Sequence, residues 1–159
     1  MAEFRFITLW FIEAPLEAVC DAIEHSLDWP QWWQGIEKVE ELSPGNAEGI
    51  GSVRRYLWKG HLPYRVGFDI QVTRMQPLKM VEGIACGDVE GIGRWSFASK
   101  GAMTIARYEW HIRPTALWMR LLTPLASPLF RWNHNFLMQQ GAKGLARRLN
   151  ARLIGVSQQ

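Results

Sequence analysis

Few side chains of this sequence are spaced as known catalytic or metal-binding motifs require. The four histidines are dispersed, with no pair three or four residues apart: His25, His61, His111 and His134. Zinc ligands normally lie at such short spacings, so we expect no metal site. No serine lies in a Gly-x-Ser-x-Gly turn, and neither cysteine has the sequence context of a nucleophile. Any chemistry must therefore come from isolated acid–base groups.

His134 is the best placed of these groups. No proline follows Pro128, and apolar residues recur at helical spacing along one side of a predicted helix: Phe130, His134, Leu137, Met138, Gly141, Leu145 and Leu149. The pKa of a histidine on this inner stripe can be tuned near neutrality, as general acid–base catalysis requires. The alternative is a packed histidine with one hydrogen-bond partner.

Two further features of the inner stripe favour a helix that lines a cavity. Asn133 lies at its edge, where its amide is expected to orient a ligand carbonyl. Gly141 lies in its middle, where a helix that only fills a core would carry Leu or Ala. We therefore expect open space beside Gly141.

The segment before this helix contains two prolines. Because proline removes a helical hydrogen bond, residues 115–130 predict a short helix, a break, and then the long helix running nearly to Ile154. Exposed Trp118, Leu121 and Leu122 would form an apolar patch for a membrane surface, a partner or a movable lid. The alternative is ordinary packing that caps the open end of a sheet.

The residues before Thr115 predict an antiparallel sheet with one helical region. Turn residues recur every 10 to 15 positions and separate seven predicted strands, at 4–12, 36–43, 49–59, 64–75, 78–87, 91–99 and 103–113. A helix from Pro15 to about Leu27 and a short one after Asp28 follow the first strand. This order predicts an α+β fold in which the sheet packs on the long C-terminal helix.

Alternation along these strands assigns the residues that face the helix. Arg54 shares a face with Tyr56, so it lies either at the rim with access to solvent or points at a ligand. The expected cavity lining on the sheet is Trp10, Arg54, Tyr56, Phe68, Trp95, Tyr108 and Trp110, and on the helix Asn133, His134, Leu137, Met138 and Gly141. Nine tryptophans supply aromatic walls, which are typical of ligand sites.

Composition narrows the class of partner. At 159 residues the chain is expected to form one domain, residues 1–159, and a net charge of +3 is too mild and dispersed for nucleic-acid binding. Lys143, Arg147, Arg148 and Arg152 are explained as cations at the end of the long helix. Two glycine pairs, Gly49/Gly51 and Gly91/Gly93, lack the third glycine of a nucleotide-binding loop, so we expect no cofactor.

The same properties bear on where the protein works. Two cysteines without a recognisable signal peptide predict a reduced, cytoplasmic protein. No segment has the roughly 20 apolar residues that span a bilayer, so contact with a membrane would not involve crossing it.

The predicted order of elements resembles the helix-grip fold of the START-like lipid-transfer and polyketide cyclase/dehydrase (SRPBCC) superfamily. Three segments carry the resemblance: Ile12-Glu13-Ala14-Pro15, Asp28-Trp29-Pro30-Gln31-Trp32-Trp33-Gln34-Gly35-Ile36 and Gly49-Ile50-Gly51-Ser52-Val53-Arg54-Arg55. It covers essentially the whole chain. It implies a curved seven-stranded antiparallel sheet wrapped around the C-terminal helix, with a deep cavity between them.

The resemblance also implies a function without fixing the chemistry. The first hypothesis is a carrier or sensor that binds a hydrophobic or polycyclic small molecule, similar to a lipid or polyketide. The second is a cyclase or dehydratase with His134 as the acid–base group and Arg54 as a polar partner. The third is a module that docks on a membrane or partner through residues 117–130.

Overall fold

Residues 3–159, which the computed structural model describes, form one antiparallel sheet and three α-helices. The strands are β1 (Phe4–Glu13), β2 (Ile36–Ser43), β3 (Val53–Trp58), β4 (Val66–Gln76), β5 (Met80–Gly87), β6 (Val89–Lys100), β7 (Met103–Pro114) and β8 (Arg152–Gln158). The helices are α1 (Leu16–Glu24), α2 (Trp29–Trp32) and α3 (Leu117–Arg148), with a 3₁₀ turn at Ser26–Asp28. The predicted α+β helix-grip architecture is confirmed.

The strands follow one another across the sheet except at its end. Their order is β2-β3-β4-β5-β6-β7-β1-β8, so the N-terminal strand lies between β7 and β8. Burial alternates along β1, whose buried side chains include Phe6 and Trp10, and along β7, whose Trp110 pairs with Phe6. One face of the sheet therefore carries the aromatic core, as the alternation predicts.

The sheet has eight strands, so the prediction of seven was wrong. The long helix ends at Arg148 instead of continuing to Ile154, because Asn150 turns the chain with a φ of 51°. Residues 152–158 then pair with β1. Arg152, interpreted as a helical cation, lies in β8, and its Nε is 2.7 Å from Glu13 Oε2. The added strand covers an edge of β1 that would otherwise have unpaired backbone groups.

Helix α3 is continuous through both prolines, so the predicted break is also wrong. Pro124 and Pro128 lie inside it and are exposed to solvent, where the carbonyls that lose a donor can be hydrated. On the opposite face, Met119, Thr123 and Phe130 are buried. Tertiary packing of this face outweighs the two lost hydrogen bonds. No helix within residues 3–159 is long and apolar enough to cross a membrane.

The contact between α2 and α3 fills the space that was expected beside Gly141. A Cβ added to Gly141 would lie 2.7 Å from Trp33 Cζ2 and 2.8 Å from Trp10 Cζ2. Gly141 is therefore small because two indoles pack against it, and the interpretation as a cavity gap was wrong. One turn further, Gly144 lies against the backbone of Trp32. Both glycines allow a close approach of α2 to α3.

We predict that Gly144→Ala lowers the free energy of unfolding. A Cβ at this position would overlap the Trp32 carbonyl oxygen, and overpacking of this kind costs about 1–3 kcal/mol or more. Helix propensity alone predicts the opposite sign, since Ala is favoured over Gly by about 1 kcal/mol in a helix. Urea denaturation followed by circular dichroism measures the change.

The matched control for this prediction is Gly155→Ala. A Cβ at Gly155 would meet no described atom within 4 Å, so its effect on stability should be small. A Gly144→Ala protein as stable as the wild type would contradict the close packing of α2 on α3.

Candidate functional site

A cavity of about 140 Å³ lies between the sheet and the α1–α2 region. Its walls come from α1, the 3₁₀ turn, α2 and strands β3 to β7, and its aromatic lining side chains are Trp29, Tyr56, Trp58, Phe68, Trp95 and Tyr108. None of its described lining residues belongs to α3. An apolar cavity of about 150 Å³ holds benzene, so this first cavity has room for a single aromatic ring.

The first cavity has one polar end, at Arg54. The Nη1 of Arg54 donates to Ser26 Oγ at 2.7 Å and to the Glu24 carbonyl at 3.0 Å. The Ser26 hydroxyl is also 2.8 Å from the Tyr56 hydroxyl. The Arg54 side chain is 24% exposed and its Nη2 lies 3.6 Å from Glu41 Oε1. Arg54 therefore reaches solvent, as the rim alternative expects, and also lines the cavity, and its contact with a ligand stays a prediction.

The two tyrosines of this cavity stay protonated near neutral pH. Burial raises the pKa of Tyr56, although the hydrogen bond with Ser26 opposes the shift. Burial also raises the pKa of Tyr108 well above 10. Both phenols are therefore hydrogen-bonding hydroxyls and not phenolates.

A second cavity, of about 60 Å³, lies where the sequence predicts one, between the sheet and α3. Strands β1, β3, β4 and β7 contribute aromatic side chains, and α3 contributes Met119, Phe130, Asn133, His134 and Leu137. Trp58 and Phe68 line both cavities. These two side chains, whose ring centroids are 5.0 Å apart, form the partition between the two spaces.

His134 is a neutral, packed side chain of the second cavity. Its ring stacks on Phe6 with centroids 3.8 Å apart, and burial lowers its pKa to about 3. The near-neutral pKa that the sequence suggested for acid–base work is therefore absent. Its Nε2 has no hydrogen-bond partner within residues 3–159, and neither has the Nε1 of Trp58. Two ring nitrogens of residues that line the second cavity are thus buried without a hydrogen-bond partner among the described residues.

Asn133 already forms two hydrogen bonds with other groups of the protein. Its Oδ1 accepts from the Leu62 backbone N–H at 3.1 Å, and its Nδ2 donates to the Tyr64 hydroxyl at 2.9 Å. Asn133 therefore ties the loop before β4 to α3, and the role expected for it, orientation of a ligand carbonyl, stays a prediction.

The two cavities bring together most of the predicted lining. The first contains Arg54, Tyr56, Phe68, Trp95 and Tyr108, and the second contains Phe68, Trp110, Asn133, His134 and Leu137. Trp10, Met138 and Gly141 line neither and pack in the core instead, Trp10 between Trp33 and Trp95.

Several lining residues were missed by the sequence reasoning. Trp58 lies two residues after Tyr56 on the inner face of β3, where alternation places it, but it was not among the expected lining residues. Ser26, Trp29 and Tyr64 lie in turns, a short helix and a loop, where periodicity assigns no face. Among the described residues, no three His, Cys, Asp or Glu side chains are grouped closely enough to hold a metal ion.

Comparison with known proteins shows similarity at the level of structure. No protein-family model matches the sequence, and no curated protein matches it. The di-domain ARO/CYC BexL from the BE-7585A biosynthetic pathway aligns with a TM-score of 0.73 and 17% identity over 94% of this chain and 51% of BexL. This chain therefore spans about half the length of BexL.

Two solved structures match over nearly their whole length. A START superfamily protein from Mycobacterium smegmatis aligns with a TM-score of 0.73 and 14% identity, over 92% of this chain and 98% of that one. The Zhui aromatase/cyclase from Streptomyces sp. R1128 gives a TM-score of 0.63 and 14% identity, over 92% and 96%.

This chain has the START-like helix-grip fold. The resemblance inferred from the three sequence segments is thereby confirmed for the fold. Since identities this low show the fold alone, the ligand and activity of the START-like domain depend on its own cavities.

We predict that His134 makes the START-like domain less stable in acid. The pKa of His134 is about 3 in the folded protein and near 6.5 in the unfolded protein. Above pH 6.5 its imidazole is therefore neutral in both states. As the pH falls towards 3, only the unfolded state takes up this proton, and stability falls by roughly 1 kcal/mol per pH unit. Urea denaturation at several pH values should show a shallower loss for His134→Phe.

The control for this measurement is His111→Phe, which removes an exposed histidine from β7. Because His134 is still buried in this variant, the loss of stability as the pH falls towards 3 should persist. Equal slopes for the wild type and His134→Phe would show that His134 is not held neutral by burial.

Proposed function

We propose that the START-like domain binds a hydrophobic small molecule within its two cavities, as a carrier or sensor. The observation that carries the proposal is the pair of aromatic cavities whose walls share Trp58 and Phe68. Ligand sites are concave and mostly apolar, with a few polar groups that fix orientation. The first cavity fits this description, with an aromatic wall and the polar end at Arg54.

The polar groups specify the kind of ligand. The Arg54 Nε and the Trp58 Nε1 are buried donors without a partner among residues 3–159. An unsatisfied buried donor costs about 1–3 kcal/mol, which an oxygen acceptor on the ligand would recover. The proposed ligand is therefore an aromatic or polycyclic molecule that carries a hydroxyl or carbonyl oxygen.

The size of the ligand depends on the partition. The first cavity has room for one ring, and the second, at about 60 Å³, for a smaller group. A lipid- or polyketide-like molecule must displace Trp58 or Phe68 to occupy both. Side-chain rearrangement of this kind is common on ligand binding, whereas backbone movement is usually small.

Binding is better supported than acid–base catalysis. The fold is shared with aromatase/cyclases, which supports a cyclase only by analogy. His134, the candidate acid–base group, has a pKa of about 3 and is stacked on Phe6. A base this weak transfers protons poorly near neutral pH. His134 is more useful to a bound ligand as a neutral hydrogen-bonding ring.

Two cysteines support the proposal that the protein works in a reducing compartment such as the cytoplasm. Cys20 is buried and Cys86 is exposed, and both are free thiols. Burial raises the pKa of Cys20 to about 12, so its thiol is inert and contributes packing.

We predict that filling the first cavity abolishes ligand binding. Val72 lines this cavity, whereas its neighbour Gln71 lies exposed on the other face of β4. Val72→Phe should therefore reduce affinity for p-cresol and toluene by at least about tenfold, through loss of the space. NMR titration of the tryptophan indole N–H signals measures binding.

Gln71→Phe is the matched control and should bind both probes as the wild type does. If Val72→Phe binds equally well, the ligand occupies another place. If the wild type binds neither probe and carries no small molecule by native mass spectrometry, the proposed function is wrong.

We also predict that Arg54 selects for an oxygen on the ligand. Arg54→Met keeps an unbranched, flexible stem but removes the guanidinium and its donors. Affinity for p-cresol should fall about tenfold, the value of one hydrogen bond, and affinity for toluene should stay the same. Equal losses for the two probes would show that Arg54 only supports the shape of the cavity.

A further inference from the structure

The N-terminal half of α3 exposes a continuous row of large apolar side chains. This outer stripe consists of Leu117, Trp118, Leu121, Leu122, Leu125, Leu129 and Trp132. Leu125 is 88% exposed and Leu121 is 69% exposed. Isolated exposed leucines are normal on a soluble protein, but a continuous apolar patch marks an interaction site.

The stripe occupies one face of the helix. At 100° per residue its members fall within a sector of about 140°, over a length of about 22 Å. Met119, Thr123 and Phe130 are on the opposite face and are buried against the domain. This inner face already packs against the domain. The outer stripe is therefore a second apolar face of the helix and does not belong to the core. The segment has two apolar faces. The inner one is buried, and on the outer one Trp118 packs on Tyr64 and Trp132 on His61 while the leucines stay exposed.

The charged side chains of α3 itself all have one sign. Arg120 and Arg131 lie on the same half of α3, are exposed, and form none of the ion pairs found within residues 3–159. Residues 115–159 contain six Lys and Arg and no Asp or Glu. The other 114 residues contain 12 basic and 15 acidic residues. The outer stripe therefore belongs to the positive part of a chain whose remainder is negative.

We propose that the outer stripe of α3 docks the protein on the surface of an anionic lipid bilayer. A helix that lies in the membrane interface has Leu and Trp on one face and Lys or Arg beside it, and tryptophans favour the headgroup level. The stripe has Trp118 near one end and Trp132 at the other. Arg120 supplies attraction to anionic headgroups, and Arg131, whose guanidinium lies over the Phe4 ring at 5.1 Å from its centroid, adds to the positive charge beside the stripe.

A second copy of this chain fits the stripe less well than a bilayer. Pairing of two outer stripes would bring the arginines of both copies into the same region, without carboxylates from residues 115–159 to pair with them. An anionic bilayer provides both an apolar layer and a negative surface.

Docking would place the second cavity close to the bilayer. Met119 and Phe130 line that cavity from the face of α3 opposite the stripe, so one helix separates the cavity from the proposed membrane surface. Trp118 packs on Tyr64, another residue of the cavity wall, with ring centroids 5.2 Å apart. The docking proposal does not depend on which ligand, if any, the cavities hold.

Sedimentation with lipid vesicles tests the proposal. The protein should sediment with vesicles of phosphatidylcholine and phosphatidylglycerol more than with phosphatidylcholine alone, and added salt should weaken this binding. The double variant Leu121→Asn/Leu125→Asn should lower binding at least about tenfold, because it removes two of the most exposed leucines from the stripe. Arg120→Gln/Arg131→Gln should reduce the preference for anionic vesicles.

The matched control is Ile84→Asn/Ile92→Asn. These two exposed isoleucines pair across β5 and β6, away from α3, so their loss should leave vesicle binding unchanged. Thermal unfolding checks that all variants are folded.

Two results would overturn the proposal. One is equal sedimentation of the wild type and the leucine double variant. The other is a dimer in analytical ultracentrifugation that the leucine variant abolishes, with no binding to either kind of vesicle, which would assign the stripe to a second copy of the chain. Retained binding of p-cresol by the leucine variant would separate this outcome from a failure of the ligand-binding function.

Discussion

The contact of Trp33 with α3 is the constraint on which both cavities depend. Trp33 is 1% exposed, and its indole N–H donates to the Leu137 carbonyl at 2.9 Å, across 104 residues of sequence. The glycine at 141 is what lets the indole approach so closely. This contact fixes α2, whose Trp29 forms part of the first cavity, and α3, whose Leu137 lines the second. The hydrogen-bonded indole of Trp33 therefore positions the helices that form part of the walls of both cavities.

The cavities persist because their walls are rigid rings that cannot collapse into them. Trp58 contacts Phe68 edge-on, and both also lie within 6 Å of Trp110, measured between ring centroids. Aromatic rings have few rotamers, so filling the space would require several of them to move together. Among residues 3–159, this wall holds ring nitrogens without hydrogen-bond partners at Trp58 and His134. Burying a ring nitrogen without a hydrogen-bond partner lowers the stability of the fold, and a loss of this kind is typical of ligand-binding sites.

Local sequence patterns predicted the parts of this structure that depend on local physics. Alternation identified the inward faces of β3, β4 and β7, including Tyr56, Phe68 and Trp110, because side chains of a strand point to opposite sides in turn. Local patterns failed where contact with a residue far away in the sequence determines the structure. Gly141 was interpreted as empty space because nothing local shows that Trp33 occupies it. Similarly, β8 forms because β1 has a free edge, and α3 continues through its prolines because the opposite face is buried. The pKa of His134 depends on burial that no pattern reports.

The two prolines of α3 leave the carbonyls of Arg120 and Pro124 without their usual donors, since residues 124 and 128 have no N–H. Bending the helix at this turn breaks fewer hydrogen bonds than bending it anywhere further along. The same turn lies between the exposed leucines and the wall of the second cavity. For the ligand proposed for the second cavity, this turn of α3 would be the part of the wall that bends most easily, and the eight paired strands would not have to separate.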